Sequence, residues 1–402
     1  MWDVVIVGSG PAGATAAIAA RRAWPGASVA LLDRADFPRD KSCGDGVAPH
    51  VLDVLERLGV HGLLDGWPQV HRLRLGFPGG PEIAGTMRRP ACIVPRTVLD
   101  ARIRDEALKA GAEPLRHRVR EVDVRADRVV LDGTVEGRVV IAADGAHSVV
   151  RTAIGVRPRS VQQAIALRAY APVTGLPEDE QLIVFAREAS WPAYAWSFPI
   201  GDGRANVGYG EFLPPTGETP TRAHLLERLH ELLPGLTEPS AVRGHHLPLS
   251  TAGVRQPDGR VLLAGDALSL VNPITGEGIH TAVLTGALAG IAAARAARAA
   301  ASRSGGSGGS GAGGSGAGGS GDPGREYRLG LRGAFGRHTR DVNLLSRLAR
   351  PRAVAAGVRG AQGRQAVFDD LVEMGLADGP LTPRVLGVLA VELVRKAGRM
   401  VT

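Results

Sequence analysis

The beginning of the chain constrains the fold most strongly, because it reads as strand, glycine-rich turn, helix and strand. DVVIVGSG is a run of β-branched residues ending at glycine, which predicts a strand buried on both faces. PAGATAAIAARRA then predicts a helix of small residues, and SVALLDR predicts a second buried strand. This order is typical of a dinucleotide-binding fold.

The glycines of this turn have separate roles in such a fold. Gly8 allows a tight turn, Gly10 lets the backbone approach a pyrophosphate, and Gly13 lets the helix pack closely on the strand. The pyrophosphate would lie at the helix N-terminus, where unpaired N–H groups favour an anion. Asp33 ends the second strand, where a carboxylate can accept from a ribose hydroxyl. Together these features predict dinucleotide binding.

Two later segments favour an extended cofactor. In residues 141–151, a strand closes on Asp144-Gly145, and in residues 264–283 a strand delivers Gly265-Asp266 before a turn opens another helix. A carboxylate at such a strand end can hold a ribityl or ribose hydroxyl, and the helix N-terminus can face a flavin ring. Nucleotide-binding elements at both ends of this region suit FAD better than NAD.

Composition and charge argue against several other classes. The 402 residues carry a formal charge of +8, but the arginines are scattered among alanines and acids, so nucleic-acid binding is not predicted. Two cysteines without CxxC spacing predict neither a disulfide framework nor a metal site. The sequence shows no signal peptide and no run of 18 apolar residues, so a cytoplasmic protein is expected.

A change of pattern along the chain predicts the domains. Short strands without intervening helices, in residues 161–254, indicate an antiparallel sheet that would form a substrate domain. The flanking segments 1–160 and 255–303 would form a Rossmann-like FAD-binding domain, and residues 65–90 could join the substrate sheet. Residues 304–321 read as a Gly/Ser linker or disordered loop, and 322–402 as a region of mostly short helices. The predicted fold class is α/β.

The motifs together resemble a known group. Their order over about residues 1–300 is similar to that of flavoprotein monooxygenases and reductases of the p-hydroxybenzoate hydroxylase fold. FPRDKSCGDGVAP (Phe37–Pro49) resembles a loop of the geranylgeranyl reductase family. Tyr194-Ala-Trp-Ser-Phe-Pro199, followed by Gly208-Tyr-Gly210, resembles the substrate motif of that family, YxWxFP…GxG. The WxWxIP motif of flavin halogenases is missing.

This resemblance implies FAD as the cofactor. The FAD-binding residues that it implies, together with those predicted above, are Gly8, Gly10, Pro11, Ala12, Gly13, Asp33, Arg34, Cys43, Gly44, Asp45, Arg96, Asp144, Gly265, Asp266, Pro273, Gly276, Glu277 and Gly278. Arg96 would turn toward the cofactor, although it also fits a surface arginine at a helix start. No second GxGxxG unit is present for a nicotinamide cofactor, so NAD(P)H or another electron donor would bind transiently.

Alternation places three aromatic side chains on one face of a strand. Such a stripe is usually core, but beside flavin motifs it predicts an apolar substrate slot. The predicted substrate-binding residues are Tyr194, Trp196, Phe198, Gly208 and Gly210, and the predicted catalytic residues are Cys43, Tyr194 and Trp196. Cys43 could pack against an alkene, donate a proton or be a small buried hydrophobe. His245-His246 is expected at a solvated strand start.

The predicted function is FAD-dependent reduction of carbon–carbon double bonds in an isoprenoid chain or another apolar small molecule. A hydride from reduced flavin would reach one carbon and a proton the other. The alternatives are a monooxygenase acting on a small aromatic, a pathway-specific reductase of a non-prenyl double bond, and a non-catalytic FAD-binding partner. The C-terminal VLGVLAVELVRKAGR could rest on the inner face of a membrane or pack on the FAD domain. The sequence leaves the oligomeric state open.

Overall fold

The computed structural model describes residues 1–160, 163–172, 177–187, 191–213, 219–305, 322–348, 350–388 and 390. Its strands are β1 (Trp2–Val7), β2 (Val29–Asp33), β3 (Gly46–Val47), β4 (Gln69–Gly76), β5 (Glu82–Ile93), β6 (Glu113–Arg116), β7 (Val122–Val124), β8 (Val129–Leu131), β9 (Val135–Ala142), β10 (Gln163–Pro172), β11 (Glu180–Phe185), β12 (Ala193–Pro199), β13 (Arg204–Phe212), β14 (Ser240–Pro248) and β15 (Val261–Leu263). Its α-helices are α1 (Pro11–Ala23), α2 (Pro49–Arg57), α3 (Arg96–Lys109), α4 (Val149–Ala153), α5 (Arg222–Leu232), α6 (Ile279–Gly305), α7 (Pro323–Leu348), α8 (Pro351–Ala361) and α9 (Gln365–Leu376).

The first sheet contains the strands that precede the predicted nucleotide-binding turns. Its order is β6-β2-β1-β9-β8-β7, with β15 also paired to β9. The strands β6, β2, β1, β9 and β15 run parallel, so β1, β9 and β15 end at the same edge. Their carboxyl ends therefore bring together the turns after Val7, Ala142 and Leu263.

The second sheet has the order β14-β10-β13-β12-β11-β4-β5-β3. Its pairs are antiparallel except for β11 and β4, which run parallel. The strands expected between residues 165 and 210 are present, and β4 and β5 add residues 69–93 to the same sheet. The predicted α/β class is confirmed, whereas the exact domain boundaries remain a prediction.

The helix α6 lies in the core against α1. A Cβ atom on Gly286 would come within 2.2 Å of the Ala12 carbonyl oxygen, and one on Gly290 within 2.2 Å of the Ala16 carbonyl oxygen. Within the part of the chain that the structure describes, the helical stretch 279–303 is long and apolar enough to cross a membrane. However, 72% of its most apolar 18-residue stretch is buried inside the protein. Contact through glycine and burial are both typical of a core helix.

The described C-terminal region contains one long helix beside the short helices that the sequence predicted. The helix α7 has 26 residues, and α8 and α9 pack on the outer strands of the second sheet. A Cβ atom on Gly85 in β5 would come within 2.8 Å of the Phe368 ring in α9, so the contact is close. Residues 306–321 of the predicted linker, and residues 389 and 391–399 of the segment predicted to face a membrane or pack on the FAD domain, lie outside the described residues.

Candidate active site

A cavity of about 1520 Å³ lies between the two sheets and the C-terminal helices. Small-molecule pockets are usually about 300–1,000 Å³, so this cavity has room for more than one ligand. One part is lined by the glycine-rich turns at the edge of the first sheet. The opposite part, which we name the apolar arm, is lined by Leu75, Ile183, Val354, Val358, Leu371 and Val385.

The first glycine-rich turn fits a bound pyrophosphate. Gly8 has a φ of +101°, and a Cβ atom there would lie 2.3 Å from the Ala143 carbonyl oxygen. No side chain among the described residues caps α1, which begins after Gly10, so its first N–H groups are not bound by a cap. Gly10, Pro11 and Ala12 line the cavity. These free donors at a helix N-terminus are the groups that an anionic phosphate binds.

Gly13 acts through packing rather than through contact with the cavity. A Cβ atom on Gly13 would lie 1.7 Å from the Gly8 carbonyl oxygen, and Gly13 is not among the residues that line the cavity. It therefore supports the turn from behind, which is the packing role that the motif predicts for its third glycine.

Two carboxylates hold the turns at the edge of the first sheet. Asp33 accepts hydrogen bonds from the Ser9 N–H at 2.8 Å and the Ala35 N–H at 2.9 Å, and it lines the cavity together with Arg34. Asp144 accepts from the Val149 N–H at 2.8 Å. Its second oxygen is buried without a hydrogen-bond partner among the described residues.

Such an unpartnered buried acceptor is costly unless a ligand supplies a donor. Asp144 Oδ1 and Asp45 Oδ1 both lack a partner among the described residues, and both residues line the cavity. The hydroxyl groups of FAD are donors of this kind. The uncapped helix, the close glycine turn and these two acceptors therefore fit a bound flavin nucleotide.

Cys43 and Arg96 meet in the wall of the cavity. Arg96 is 4% exposed, and its guanidinium binds both carboxylate oxygens of Asp100, at 2.5 and 2.8 Å. Burial alone would lower the pKa of Arg96, but Asp100 and the neighbouring Cys43 raise it, so the guanidinium stays charged. Burial raises the pKa of the Cys43 thiol, and Arg96 only partly opposes this, so the thiol is neutral. Arg96 is therefore not the surface arginine that the sequence also allowed.

The second glycine-rich turn carries charged groups as well. Asp266 lies 2.8 Å from the ammonium of Lys41, which lowers the pKa of the carboxyl against the effect of burial. Glu277 accepts from the His280 N–H at 2.6 Å, yet burial raises its pKa to about 7. Gly265, Pro273, Gly276 and Gly278 line the cavity beside them.

The expectation of a solvated histidine pair is wrong for His245. His245 lies within β14 and lines the cavity, and burial together with the nearby Lys41 lowers its pKa to about 4. The ring is therefore neutral at physiological pH. The His245-His246 pair could not predict this burial from sequence, because the burial depends on the pairing of β14 with β10 at the edge of the second sheet.

The aromatic strand β12 faces the cavity as predicted. The ring centroids of Tyr194 and Trp196 are 6.1 Å apart, and those of Trp196 and Phe198 are 6.4 Å apart. The Tyr194 hydroxyl donates to the Thr275 carbonyl, in the turn that precedes α6. Gly44 lies against this strand, since a Cβ atom there would be 3.5 Å from the Phe198 ring. The three aromatics and the loop around Cys43 thus share one region of the wall.

The two glycines of the predicted substrate motif differ in position. Gly210 lines the cavity, but Gly208 does not. Gly208 pairs with Trp196 across β12 and β13, and a Cβ atom there would lie 2.1 Å from the Trp196 ring. The assignment of Gly208 to substrate contact is therefore corrected to a supporting position beneath Trp196.

Several residues of the cavity wall were missed by sequence reasoning. They are Lys41, His117, Arg168, Gln181, His245, Asn272 and the apolar residues of α8 and α9. None belongs to a nucleotide motif apart from Asn272, which precedes Pro273 in the turn already singled out. Lys41 lies in the Phe37–Pro49 loop that the sequence singled out, although no role was predicted for it. The tertiary fold brings the others to the wall, and no local pattern reports that.

Comparison with known proteins agrees with this geometry. A family model described as an FAD binding domain matches residues 1–304. Menaquinone reductase of Mycolicibacterium smegmatis is 38% identical over 315 residues, which are 71% of this chain and 75% of that protein. Digeranylgeranylglycerophospholipid reductase 1 of Methanopyrus kandleri is 34% identical over 314 residues, which are 73% of this chain and 80% of that protein.

A solved structure shows the same fold. The geranylgeranyl bacteriochlorophyll reductase-like protein of Thermoplasma acidophilum superimposes with a TM-score of 0.71 at 20% identity, covering 99% of this chain and 98% of that one. The fold and the glycine-rich site thus define an FAD-dependent oxidoreductase. Within that class, the chain belongs to the geranylgeranyl reductase family, which confirms the resemblance seen in its Phe37–Pro49 and Tyr194–Pro199 segments.

Proposed function

We propose that this oxidoreductase saturates carbon–carbon double bonds of an isoprenoid chain, as found in a geranylgeranyl lipid or a menaquinone. The observation that carries the proposal is the continuity of one cavity from the glycine-rich turns, past the aromatics of β12, into the apolar arm. The named substrates of the relatives support it, since menaquinone and geranylgeranyl compounds both contain an isoprenoid chain.

Bound FAD, once reduced, supplies the hydride, and the protein has to position the alkene and stabilise developing charge. An isolated alkene is a poor hydride acceptor, so close and dry positioning carries much of the rate enhancement. The faces of Tyr194 and Trp196 would provide apolar contact and a π surface for developing positive charge. The neutral Cys43 thiol carries a proton that it would give to the second carbon and regain from solvent, or it would only pack against the chain. We propose these three residues as the catalytic wall.

The apolar arm would hold the part of the isoprenoid chain that does not react. Its apolar side chains come from the second sheet, from α8 and α9, and, for Val385, from the segment that follows α9. Burying such a chain is favourable by about 25 cal/mol per Å² of apolar surface. The arm would therefore hold an isoprenoid chain, which has no polar groups to bind, so that its reacting double bond lies at the site.

We further propose that NAD(P)H, or another reductant, binds transiently to reduce the flavin. The segments matched to nucleotide binding are all assigned to FAD, so a separate permanent site is not required. The enzyme would work in the cytoplasm with peripheral contact to a membrane, because isoprenoid lipids partition into bilayers. Flotation with vesicles of phosphatidylglycerol, compared with vesicles of phosphatidylcholine, tests that contact, and failure to float with either would contradict it.

The experiment that tests the function is an anaerobic reoxidation. The flavin is reduced with dithionite, and geranylgeranyl diphosphate or a menaquinone is then added in the absence of oxygen. The expected result is reoxidation of the flavin, together with products that keep two extra hydrogens per step in the isoprenoid chain after any quinol has been oxidised back in air. Parallel assays with geranylgeranyl diphosphate and menaquinone show whether the enzyme prefers a substrate with an anionic head group or one with a quinone.

The opposite result would move the assignment to the alternatives. Flavin that stays reduced with every isoprenoid until air enters contradicts isoprenoid reduction. Oxygen-dependent NAD(P)H consumption that rises with a small aromatic would then identify a monooxygenase. Anaerobic reoxidation by a non-prenyl alkene would instead identify a reductase of another pathway.

A further inference from the structure

We propose that Asn206 is a positioning residue that locks the Cys43 loop (residues 43–46) onto the aromatic strand of the active site. Asn206 lies on β13 and has no exposed surface. It belongs to none of the motifs that pointed to the flavin site. Its three side-chain hydrogen bonds join the two segments that carry the predicted catalytic residues.

The amide of Asn206 reaches both sides of this junction. Its oxygen accepts from the Trp196 indole N–H at 2.8 Å. Its NH₂ group donates to the Cys43 carbonyl at 2.8 Å and to Asp45 Oδ2 at 2.7 Å. Both amide hydrogens are thereby used, and the side chain fixes Trp196 relative to the backbone of Cys43.

Tyr170 completes the junction from the neighbouring strand. Its hydroxyl donates to the same Asp45 Oδ2 at 2.6 Å, and Tyr170 pairs with Asn206 across β10 and β13. Asp45 has a φ of 60°, a conformation that non-glycine residues rarely adopt. Two donors on one buried carboxylate oxygen compensate for that conformation. We name this group of Asn206, Asp45 and Tyr170 the loop latch.

Two arginine side chains lie beside the loop latch, and each binds a carboxylate outside it. Arg168 on β10 stacks over the Tyr170 ring at 4.6 Å and binds Asp40 at 2.5 Å. Arg96 on α3 lies on the Cys43 side and binds Asp100. Both guanidinium groups lower the pKa of Asp45, which burial raises to about 6. The carboxylate form is therefore the one that the latch holds at neutral pH.

The latch has a function because the Cys43 loop and Trp196 belong to different segments of chain. The loop follows β2, whereas Trp196 lies on β12 of the second sheet. A shift of about 1 Å between groups that position a substrate is enough to slow a reaction severely. The effect on turnover rests on the proposed function, but the position of the loop can be measured without any substrate.

The test is the reactivity of the Cys43 thiol in the full-length, FAD-bound protein. Cys43 and Cys92 are modified with 4,4′-dithiodipyridine and quantified separately by peptide mass spectrometry. Cys92 is buried in β5 opposite Val47, directly after the loop, and serves as the internal control for loosening that extends beyond the loop. FAD occupancy is measured from the flavin absorbance of every variant.

The main variant is Asn206→Asp, which keeps the size of the side chain but replaces the NH₂ donor by an oxygen. At pH 8 the new carboxylate repels Asp45, so the loop opens and Cys43 reacts about tenfold faster than in the wild type. The added negative charge alone would slow the thiol, so a faster reaction reports opening. At pH 5 one proton shared between the two carboxyl groups restores a hydrogen bond, and the rate relative to wild type returns to within about twofold.

Tyr170→Phe is the second variant, because it removes one donor without adding charge and keeps the ring under Arg168. It should raise the Cys43 rate by a smaller factor, with no recovery at pH 5. Asn343→Asp adds the same charge on α7 and should leave Cys43 unchanged. Wild-type Cys43 reactivity in both latch variants, or an equal rise at Cys92, overturns the proposal. If isoprenoids prove not to be substrates, the thiol measurement still decides whether Asn206 holds the Cys43 loop in place.

Discussion

At the scale of single residues, the site depends on polar and aromatic side chains that the fold buries beside the cavity. Trp196 and Asn206 are buried together, and the pKa of Glu277 is raised by its burial beside the second glycine-rich turn. Local sequence pointed to Trp196 and Glu277 because both fall in motifs. Asn206 could not be predicted, since a buried amide carries no periodic or spacing signal until its partners on other strands are known.

Replacing Trp196 should separate substrate use from cofactor binding. Trp196→Ala removes the ring between Tyr194 and Phe198, so turnover of an isoprenoid should fall by at least about tenfold, while FAD remains bound through the turns of the first sheet. Trp196→Phe keeps a ring and should retain more activity. Steady-state kinetics and flavin absorbance measure the two effects. Unchanged turnover in Trp196→Ala would place the substrate elsewhere.

The raised pKa of Glu277 predicts a pH-dependent stability. The folded pKa is about 7 and the ordinary value is 4.5, so the folded state binds the proton more tightly than the unfolded state. The resulting stability is fully present below pH 4.5 and is lost as the pH rises through 7. Relative to Glu277→Gln, the wild type should lose about 3 kcal/mol of unfolding free energy between pH 4.5 and pH 8.

Urea unfolding at saturating FAD measures this difference at several pH values. Glu326→Gln is the matched control, because Glu326 lies on α7 in an exposed pair with Arg295. The control should follow the wild-type curve. Parallel curves for the wild type and Glu277→Gln would show that Glu277 does not hold its proton in the folded state.

At the scale of elements, the close packing of α6 on α1 fixes the first glycine-rich turn. Gly286 contacts the Ala12 backbone at the start of α1, where Gly10 and Pro11 line the cavity. A helix that approaches another backbone through glycine leaves no room for a side chain. The position of the pyrophosphate-binding turn is therefore set partly by a helix almost 270 residues further along the chain.

A methyl group at Gly286 should consequently weaken both stability and FAD binding. Gly286→Ala places Cβ within 2.2 Å of the Ala12 oxygen, which we expect to cost about 1–3 kcal/mol of unfolding free energy. Gly333→Ala on α7 is the control, because nothing described lies within 4 Å of its Cβ position. The control should be neutral or slightly stabilising, since alanine favours helix. Thermal unfolding and FAD titration follow both variants, and equal behaviour would contradict the packing argument.

Sequence reasoning worked best where one element carries its own signal. The run before Gly8 predicted β1, and the alternation of Tyr194, Trp196 and Phe198 predicted the inward face of β12. It failed for the length of α7 and for the place of His245, which depend on contacts between distant segments. The valines and leucines of α8 and α9 read only as helix core, because a helix face toward a cavity has the same periodicity as a face toward a core.

At the scale of the whole molecule, the C-terminal helices and the second sheet close the apolar arm around a space for a chain. Leu371 on α9 lines that space. Leu371→Trp would fill part of it, so the kcat/KM of a 20-carbon prenyl substrate should fall about tenfold, whereas a 10-carbon substrate should be nearly unaffected. The measured quantity is the ratio of the two kcat/KM values.

The control for this variant uses an exposed leucine. Leu329 on α7 is 58% exposed, so Leu329→Trp adds the same ring outside the arm and should leave the ratio unchanged. An equal loss for both chain lengths in Leu371→Trp would indicate general damage rather than a shortened arm. A ratio identical to that of the wild type would show that the distal chain lies elsewhere.

The path of the chain between the two sheets has a consequence for unfolding. The chain enters the first sheet at β1, passes to the second at β3, returns at β6, leaves again at β10 and comes back at β15. Neither sheet is made from one uninterrupted segment of chain. Unfolding one sheet therefore releases the segments that link the strands of the other, so we expect the two sheets to unfold together. Heating should therefore give one calorimetric transition, and FAD bound at the edge of one sheet should delay the melting of both.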